Sequence, residues 1–349
     1  MYIKTFNQPD SFALASLEKV KLNKNLELYF PFLTRSKQGL PRYRLHELDQ
    51  HFANSDRENT YRVCFSPVTV MLRAPARDFS DYLMDKVDLC LGQETVKRLP
   101  CANYYRLPAW CLRLFGLMPT IAEIQAKINE LEALRKANPF NRKEFLGCVI
   151  NKDNVFFAQG SIKVFKFMAG IDPYLKHLPL KFAGNFGRND LRLQEQYQGD
   201  KIAYLQNFTF NLCPEFINLH SVVSENIAIC LEAGCIPVYW GDIDEDLAYF
   251  NPKAMLLYQV NKRTEISQQF REILVNPDKF IQENIFQPQA ATLIYKNIYA
   301  PIIAKIEKDL DIDLLDSKQF VIDRRVDDEG LSAFVDSDFI AEYKARKEN

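Results

Sequence analysis

Residues 207–258 read NFTFNLCPEFINLHSVVSENIAICLEAGCIPVYWGDIDEDLAYFNPKAMLLY and hold the side chains best spaced for chemistry. Ser224, Glu225 and Asn226 place a hydroxyl, a carboxylate and an amide where an amphipathic segment begins. In that segment Ile227, Cys230 and Leu231 recur at three- and four-residue intervals, and Gly234 stands where a helix would stop. The N–H groups at such a helix start suit a phosphate. Residues 208–213 and 235–240, on either side, are short, apolar and rich in β-branched and aromatic residues, as buried parallel strands are. In a strand, helix, strand unit a ligand belongs beyond the carboxyl ends of the strands. Residues 214–223, the turn 224–226 and the loop after Trp240 are therefore expected to line one site. Helix starts and buried strands also occur in α/β proteins that hold no phosphate, so geometry alone leaves the ligand open.

Four blocks give the stretch a more specific pattern. They are Phe210-Asn211-Leu212-Cys213 with Glu215, then Val223-Ser224-Glu225, then Gly234-Cys235-Ile236-Pro237-Val238-Tyr239-Trp240-Gly241, then Phe250-Asn251-Pro252-Lys253. In order and spacing they resemble the donor-binding core of the α-1,3/1,4-fucosyltransferases (glycosyltransferase family 10), which reads approximately FNLxFEN, TEK, IPxYWG and FNPK. The chain looks like a diverged, bacterial-type member. The resemblance implies a donor-binding set of Glu215, Ser224, Glu225, Asn226 and Tyr239. In it Glu225 takes the place of the glutamate that accepts hydrogen bonds from a ribose, and Ser224 replaces a threonine with the same hydroxyl chemistry. Asn226 stands where the family has a lysine against the donor's pyrophosphate, so a point cation is exchanged for a neutral amide. Pro214 and Phe216 replace the phenylalanine and asparagine that flank the family's glutamate.

The same resemblance directs attention to other positions. The family's presumed general base is a glutamate on a loop of the first domain, and here Arg73, Ala74 or Pro75 falls at that place. Asp78 and Asp81 are the nearest carboxylates, and Asp78 is the candidate catalytic base, since a base must reach the proton it removes. A donor-phosphate arginine of the family aligns near Ser161 or Lys163. Lys163 could neutralise a phosphate, or it is an ordinary surface lysine. Arg188, within Ala183-Gly184-Asn185-Phe186-Gly187-Arg188-Asn189, is a second candidate cation. Asp88-Leu89-Cys90-Leu91-Gly92, followed by Lys97-Arg98-Leu99-Pro100, resembles more weakly the family's acceptor domain.

These side chains need a frame to position them. At 349 residues, 47% hydrophobic and 13% aromatic, the chain is long and apolar enough for about two cores. The expected fold is α/β, two Rossmann-like domains of glycosyltransferase-B type with a donor cleft between them. Residues 1–140 would form an N-terminal acceptor-binding domain and residues 141–302 a C-terminal donor-binding domain. A charged appendage would occupy residues 303–349. Strand candidates in the first half are residues 26–32, 62–65, 68–72 and 87–91, with 54–60 a polar loop. Thr120-Ile121-Ala122-Glu123 has capping-box form, and Ile121, Ile124, Ile128, Leu131 and Leu134 follow at helical spacing, so a helix is expected there that stops before Pro139. Residues 261–300 read as helical.

Composition excludes some functions. Lysine plus arginine total 44 against 45 acidic residues, a net charge of −1, so no global field would hold nucleic acid. Eight scattered cysteines without a CxxC pair read as reduced, buried small hydrophobes of a cytoplasmic protein. Four histidines, with His46 and His51 five apart, make no metal-ligand pattern, so no metal and no cofactor are expected. No signal peptide and no membrane span are expected, and peripheral membrane contact is left open. By resemblance the partners would be a nucleotide-sugar donor, GDP-fucose, and a glycan acceptor. A transferase using another nucleotide sugar, or an inactive member that binds a glycan or a protein, are the alternatives.

Overall fold

Apolar runs become parallel strands in both halves of the chain. The computed structural model describes residues 3–6, 23–29, 34–35, 41–42, 51–66, 86–95, 102–137, 142–150, 180–184, 188–215, 221–257 and 263–311. The chain divides into two compact units, one of residues 1–119 and 294–349, the other of residues 120–293.

The first unit carries β1 (Ile3–Phe6), β2 (Asn25–Tyr29), β3 (Thr60–Ser66), β4 (Leu89–Gly92) and β5 (Tyr104–Arg106), hydrogen-bonded in that order and all parallel. Three of the expected strands are present within a few residues of their predicted limits, and residues 68–72 lie outside the described ones. Within the expected loop 54–60, Thr60 already belongs to β3. Two further elements are α1 (Ala109–Phe115) and α5 (Ala300–Leu310). Ile302, Ile303, Ile306 and Leu310 give α5 a buried stripe. Polar contacts pin its C-terminal end: Asn23 donates to the Leu310 carbonyl at 2.7 Å and the Tyr61 hydroxyl to Asp309 at 2.8 Å. Just before α5, the buried Tyr299 hydroxyl lies 3.1 and 3.0 Å from the carbonyls of Cys111 and Gly116. The last helix thus belongs to the first unit, and the boundary expected at 302 falls inside α5, because its apolar stripe continues to Leu310.

The second unit begins with α2 (Ile121–Lys136), which the boundary expected at 140 would have left with the first. Its capping box is formed: the Glu123 N–H donates to the Thr120 hydroxyl at 3.2 Å and the Thr120 N–H to Glu123 at 2.9 Å. Ile124, Ile128 and Leu131 are buried as the spacing predicts, and Arg135 joins them. The sheet comprises β6 (Glu144–Ile150), β7 (Leu180–Gly184), β8 (Phe208–Pro214), β9 (Ile236–Trp240) and β10 (Leu256–Leu257). Its strands are all parallel, in the spatial order β10-β9-β8-β6-β7. Every residue of β8 is buried, as befits a strand covered on both faces.

One face holds Leu146, Cys148, Phe182, Phe210, Leu212, Ile236, Val238 and Leu256 against Phe270 and Ile273 of α4 (Arg263–Val275). Between β8 and β9 runs α3 (Glu225–Glu232), which buries Ile227, Ala228, Ile229, Cys230 and Leu231. Gly234 ends it at φ +65°, and the Arg142 guanidinium holds the Phe208 and Ala233 carbonyls at 2.8 Å each. The seven described cysteines are all free and buried. Among the described residues no helix is long and apolar enough to cross a membrane.

Gly147 lies in β6, where an added Cβ would stand 2.8–3.0 Å from the Phe208 ring. Gly147→Ala should therefore lower unfolding stability by about 1–3 kcal/mol through overpacking. The urea midpoint should fall with the m-value unchanged, and an unshifted midpoint would show that this ring has room to move.

Candidate functional site

Strand order singles out a candidate ligand site before any side chain is considered. From β6 the chain moves outward to β7, then returns past β6 to β8 and continues to β9 and β10, so the order reverses between β6 and β8. In open parallel sheets ligands bind beyond the carboxyl ends of the strands at such a reversal. The five strands of the first unit's parallel sheet follow one another in sequence order and have no reversal.

The residue that follows β8 is Glu215, which is 1% exposed. Its N–H donates to the Trp240 carbonyl at 2.8 Å and prolongs the β8–β9 ladder. Its carboxylate Oε1 accepts two hydrogen bonds, from the Ser224 N–H at 2.9 Å and from the Tyr239 hydroxyl at 3.0 Å. Oε2 is buried and has no hydrogen-bond partner among the described residues. Gly241 completes the fit: a Cβ there would stand 2.5 Å from Glu215 Cγ and 2.8 Å from the Tyr239 hydroxyl oxygen. Three sequence blocks thus converge on one carboxyl group.

Their convergence fixes the start of α3. Ser224 is the N-cap, with extended backbone (φ −75°, ψ 178°), and its hydroxyl accepts from the Asn226 N–H at 3.3 Å. Glu225 follows in the first turn, where the positive end of the helix favours a carboxylate. Asn226 turns its side-chain amide back onto the Pro214 carbonyl at 3.3 Å, and its own carbonyl accepts from the Cys213 thiol at 3.7 Å. Asn226 therefore ties the helix to β8.

Burial dominates the electrostatics. It pushes the Glu215 carboxyl up to about 7 from its ordinary 4.5, against the lowering effect of the Ser224 and Tyr239 hydrogen bonds, and nearby Asp246 adds to the rise. Tyr239 is raised well above the ordinary phenol value, first by burial and then by Glu215, so its hydroxyl stays a donor.

The predicted site residues are distributed unequally. Glu215, Ser224, Glu225, Asn226 and Tyr239 are brought together as described. Tyr239 is 1% exposed and turned onto Glu215, so it positions the carboxyl group from inside the sheet. Arg188 follows β7 on the same unit; it is exposed and has no hydrogen-bond or ion-pair partner among the described residues. Asp78, Asp81, Ser161, Lys163 and Phe216 lie outside the described residues.

The fourth block serves architecture. Asn251 caps the turn at Pro252–Ala254 and donates to Glu283 at 3.2 Å and to the Asn284 carbonyl at 2.8 Å, while the Phe250 and Phe286 rings lie 5.2 Å apart. The position of Gly241 beneath Glu215 is the feature that pattern reading missed. The parallel register Cys213 to Tyr239 and Pro214 to Trp240 would have revealed it. A cavity of about 610 Å³, lined by Lys253, Leu256, Arg271 and Lys279 among others, touches neither Glu215 nor Ser224.

The native state binds the Glu215 proton more tightly than the unfolded chain does. Stability should therefore be highest below pH 4.5 on this account and decline as pH rises towards about 7. The decline should total roughly 2–3 kcal/mol. Glu215→Gln removes that contribution, so urea titrations of the two proteins between pH 4.5 and 7 should diverge. Parallel curves would place the carboxyl at an ordinary value.

No protein-family model and no curated protein sequence matches the chain. Among solved structures it is similar to an α1,3-fucosyltransferase, with 14% identity, 90% of each chain covered and a TM-score of 0.52. It is likewise similar to an α1,3-fucosyltransferase with GDP, with 14% identity, 90% of this chain and 91% of that chain covered, and a TM-score of 0.50. At such identity the likeness is one of fold: the chain is an α/β protein with two parallel sheets of the glycosyltransferase-B type.

Proposed function

We propose that this protein is a glycosyltransferase that takes its sugar from a nucleotide donor. We further propose GDP-fucose as that donor and a hydroxyl of a galactose- or N-acetylglucosamine-containing glycan as the acceptor. The observation that carries the reading is the Glu215 junction, which holds the Ser224–Glu225 helix start rigidly in the unit whose strand order reverses. A diphosphate fits the N–H groups of the α3 start, and the neighbouring Glu225 carboxylate fits ribose hydroxyls. The likeness in fold to an α1,3-fucosyltransferase with GDP supports the choice of guanosine.

In this reading transfer is an inverting displacement. The acceptor oxygen forms a bond to the anomeric carbon while the bond from that carbon to the phosphate oxygen breaks. The acceptor's proton passes to a base, for which Asp78 is the candidate, and the electron pair leaves on the diphosphate. Charge grows on the leaving group, so donors already fixed at that point lower the barrier without reorganising. The α3 start supplies them, with Arg188 and Lys163 as candidate cations, and the scheme uses no metal. We place the reaction in the cytoplasm.

Asn226 favours a second reading, in which the same fold uses another nucleotide sugar. Its amide is engaged by the Pro214 carbonyl, and no cation stands at that position. Calorimetric titration with GDP, UDP and CMP separates the possibilities. GDP binding supports the first reading, UDP or CMP the second, and binding of none of them an inactive member. Glu225→Ala should weaken the nucleotide that binds by about 1–3 kcal/mol, the loss of a hydrogen bond to a charged group. An unchanged Kd would remove Glu225 from the ribose.

A further inference from the structure

We propose that Glu215 couples ligand binding to proton uptake, so that the site takes its anionic ligand together with one proton held on this carboxyl group. The proposal deepens the nucleotide-diphosphate reading and rests on it.

The geometry is that of a buried acid beside an anion site. Glu215 Oε1 lies 2.9 Å from the Ser224 nitrogen, at the residue that opens α3. A phosphate bound by the N–H groups of that first turn therefore becomes a near neighbour of the carboxyl group. Among the described residues the groups that face it are Ser224 from the α3 start, Tyr239 from β9, Cys213 from the strand that precedes it, and Asp246 from the turn Asp244–Ala248. Burial keeps the proton on both Tyr239 and Cys213. These groups are neutral or acidic, and none is a cation that could offset a second negative charge.

When the ligand arrives, the ionised carboxyl and the phosphate repel, solvent screens the buried Glu215 poorly, and protonation relieves the repulsion. Oε1 is engaged by two donors and Oε2 by none among the described residues, so Oε2 is where the proton goes. The balance is simple: solvent gives up one proton and one O–H bond forms. In the free protein burial already holds this carboxyl near neutrality, so a modest further rise changes its state at physiological pH. Binding and protonation are then reciprocal, each strengthening the other by the same factor.

The test is calorimetric titration of the whole protein with GDP-fucose, whose phosphates do not titrate between about pH 6 and 9, with UDP- and CMP-sugars in parallel. At pH 8 the heat is measured in two buffers of different ionisation enthalpy. For the wild type the heats should differ in the sense of proton uptake, and Kd should tighten by about 3- to 5-fold from pH 8 to pH 7. Glu215→Gln, which keeps an acceptor for Ser224 and Tyr239, should show neither effect. Buffer-independent heat in the wild type, or the same dependence in the variant, overturns the coupling and leaves the nucleotide reading intact. Failure of every nucleotide sugar to bind at any pH overturns the nucleotide reading and the coupling with it. If Glu215→Gln does not fold, the infrared difference spectrum of the wild type decides. A carboxylic C=O band gained on ligand addition supports the proposal, and its absence refutes it.

Discussion

A carboxyl group at the end of a strand buried on both faces must find donors inside the protein, and Glu215 finds them in two distant segments. The Ser224 N–H comes from the start of α3 and the Tyr239 hydroxyl from the carboxyl end of β9. An unmet buried acceptor costs about 1–3 kcal/mol, more when charged, so each partner is held to its place. The helix start cannot tilt without breaking one bond, β9 cannot shift register without breaking the other, and Gly241 leaves the carboxyl stem room to lie where it does.

This junction matters because of where the sheet puts it. In a parallel sheet all carboxyl ends share one edge, and the reversal of order between β6 and β8 opens a crevice on that edge. The rest of the second unit serves that edge from behind. Phe210 and Leu212 anchor β8 against α4, Arg142 closes the far end of α3 on the Phe208 and Ala233 carbonyls, and Asn251 stitches β10's approach to the helices beyond it. The first unit is held by its own devices, with α5 drawn onto its strands through Asn23 and Tyr61.

Much of this was legible in the sequence, for physical reasons. β8 and β9 are continuous apolar runs, and α2 and α3 each announce themselves by a capping residue followed by an apolar stripe. Shorter pieces were not legible. β5 has three residues and β10 two, too few for a pattern, and β7 buries only its last three residues, so it carries no continuous apolar run. The extent of α5 was hidden by charge: its exposed acids and lysines dominate composition, whereas Ile302, Ile303, Ile306 and Leu310 are recognised only once a helix is assumed. At the site, motif spacing found Glu215, Ser224, Glu225 and Tyr239 but gave them a common role. The structure separates them, turning Tyr239 inward as a support for Glu215 and leaving Ser224 and Glu225 at the start of α3.

The central claim is that the first turn of α3 receives the ligand's phosphates. Amide chemical shifts of residues 224–227, followed by nitrogen-proton NMR while nucleotide is added, test it directly. Downfield proton shifts that saturate with the ligand and concentrate in that turn are the predicted result. Saturable shifts confined to other segments, with these four amides unmoved, would contradict it.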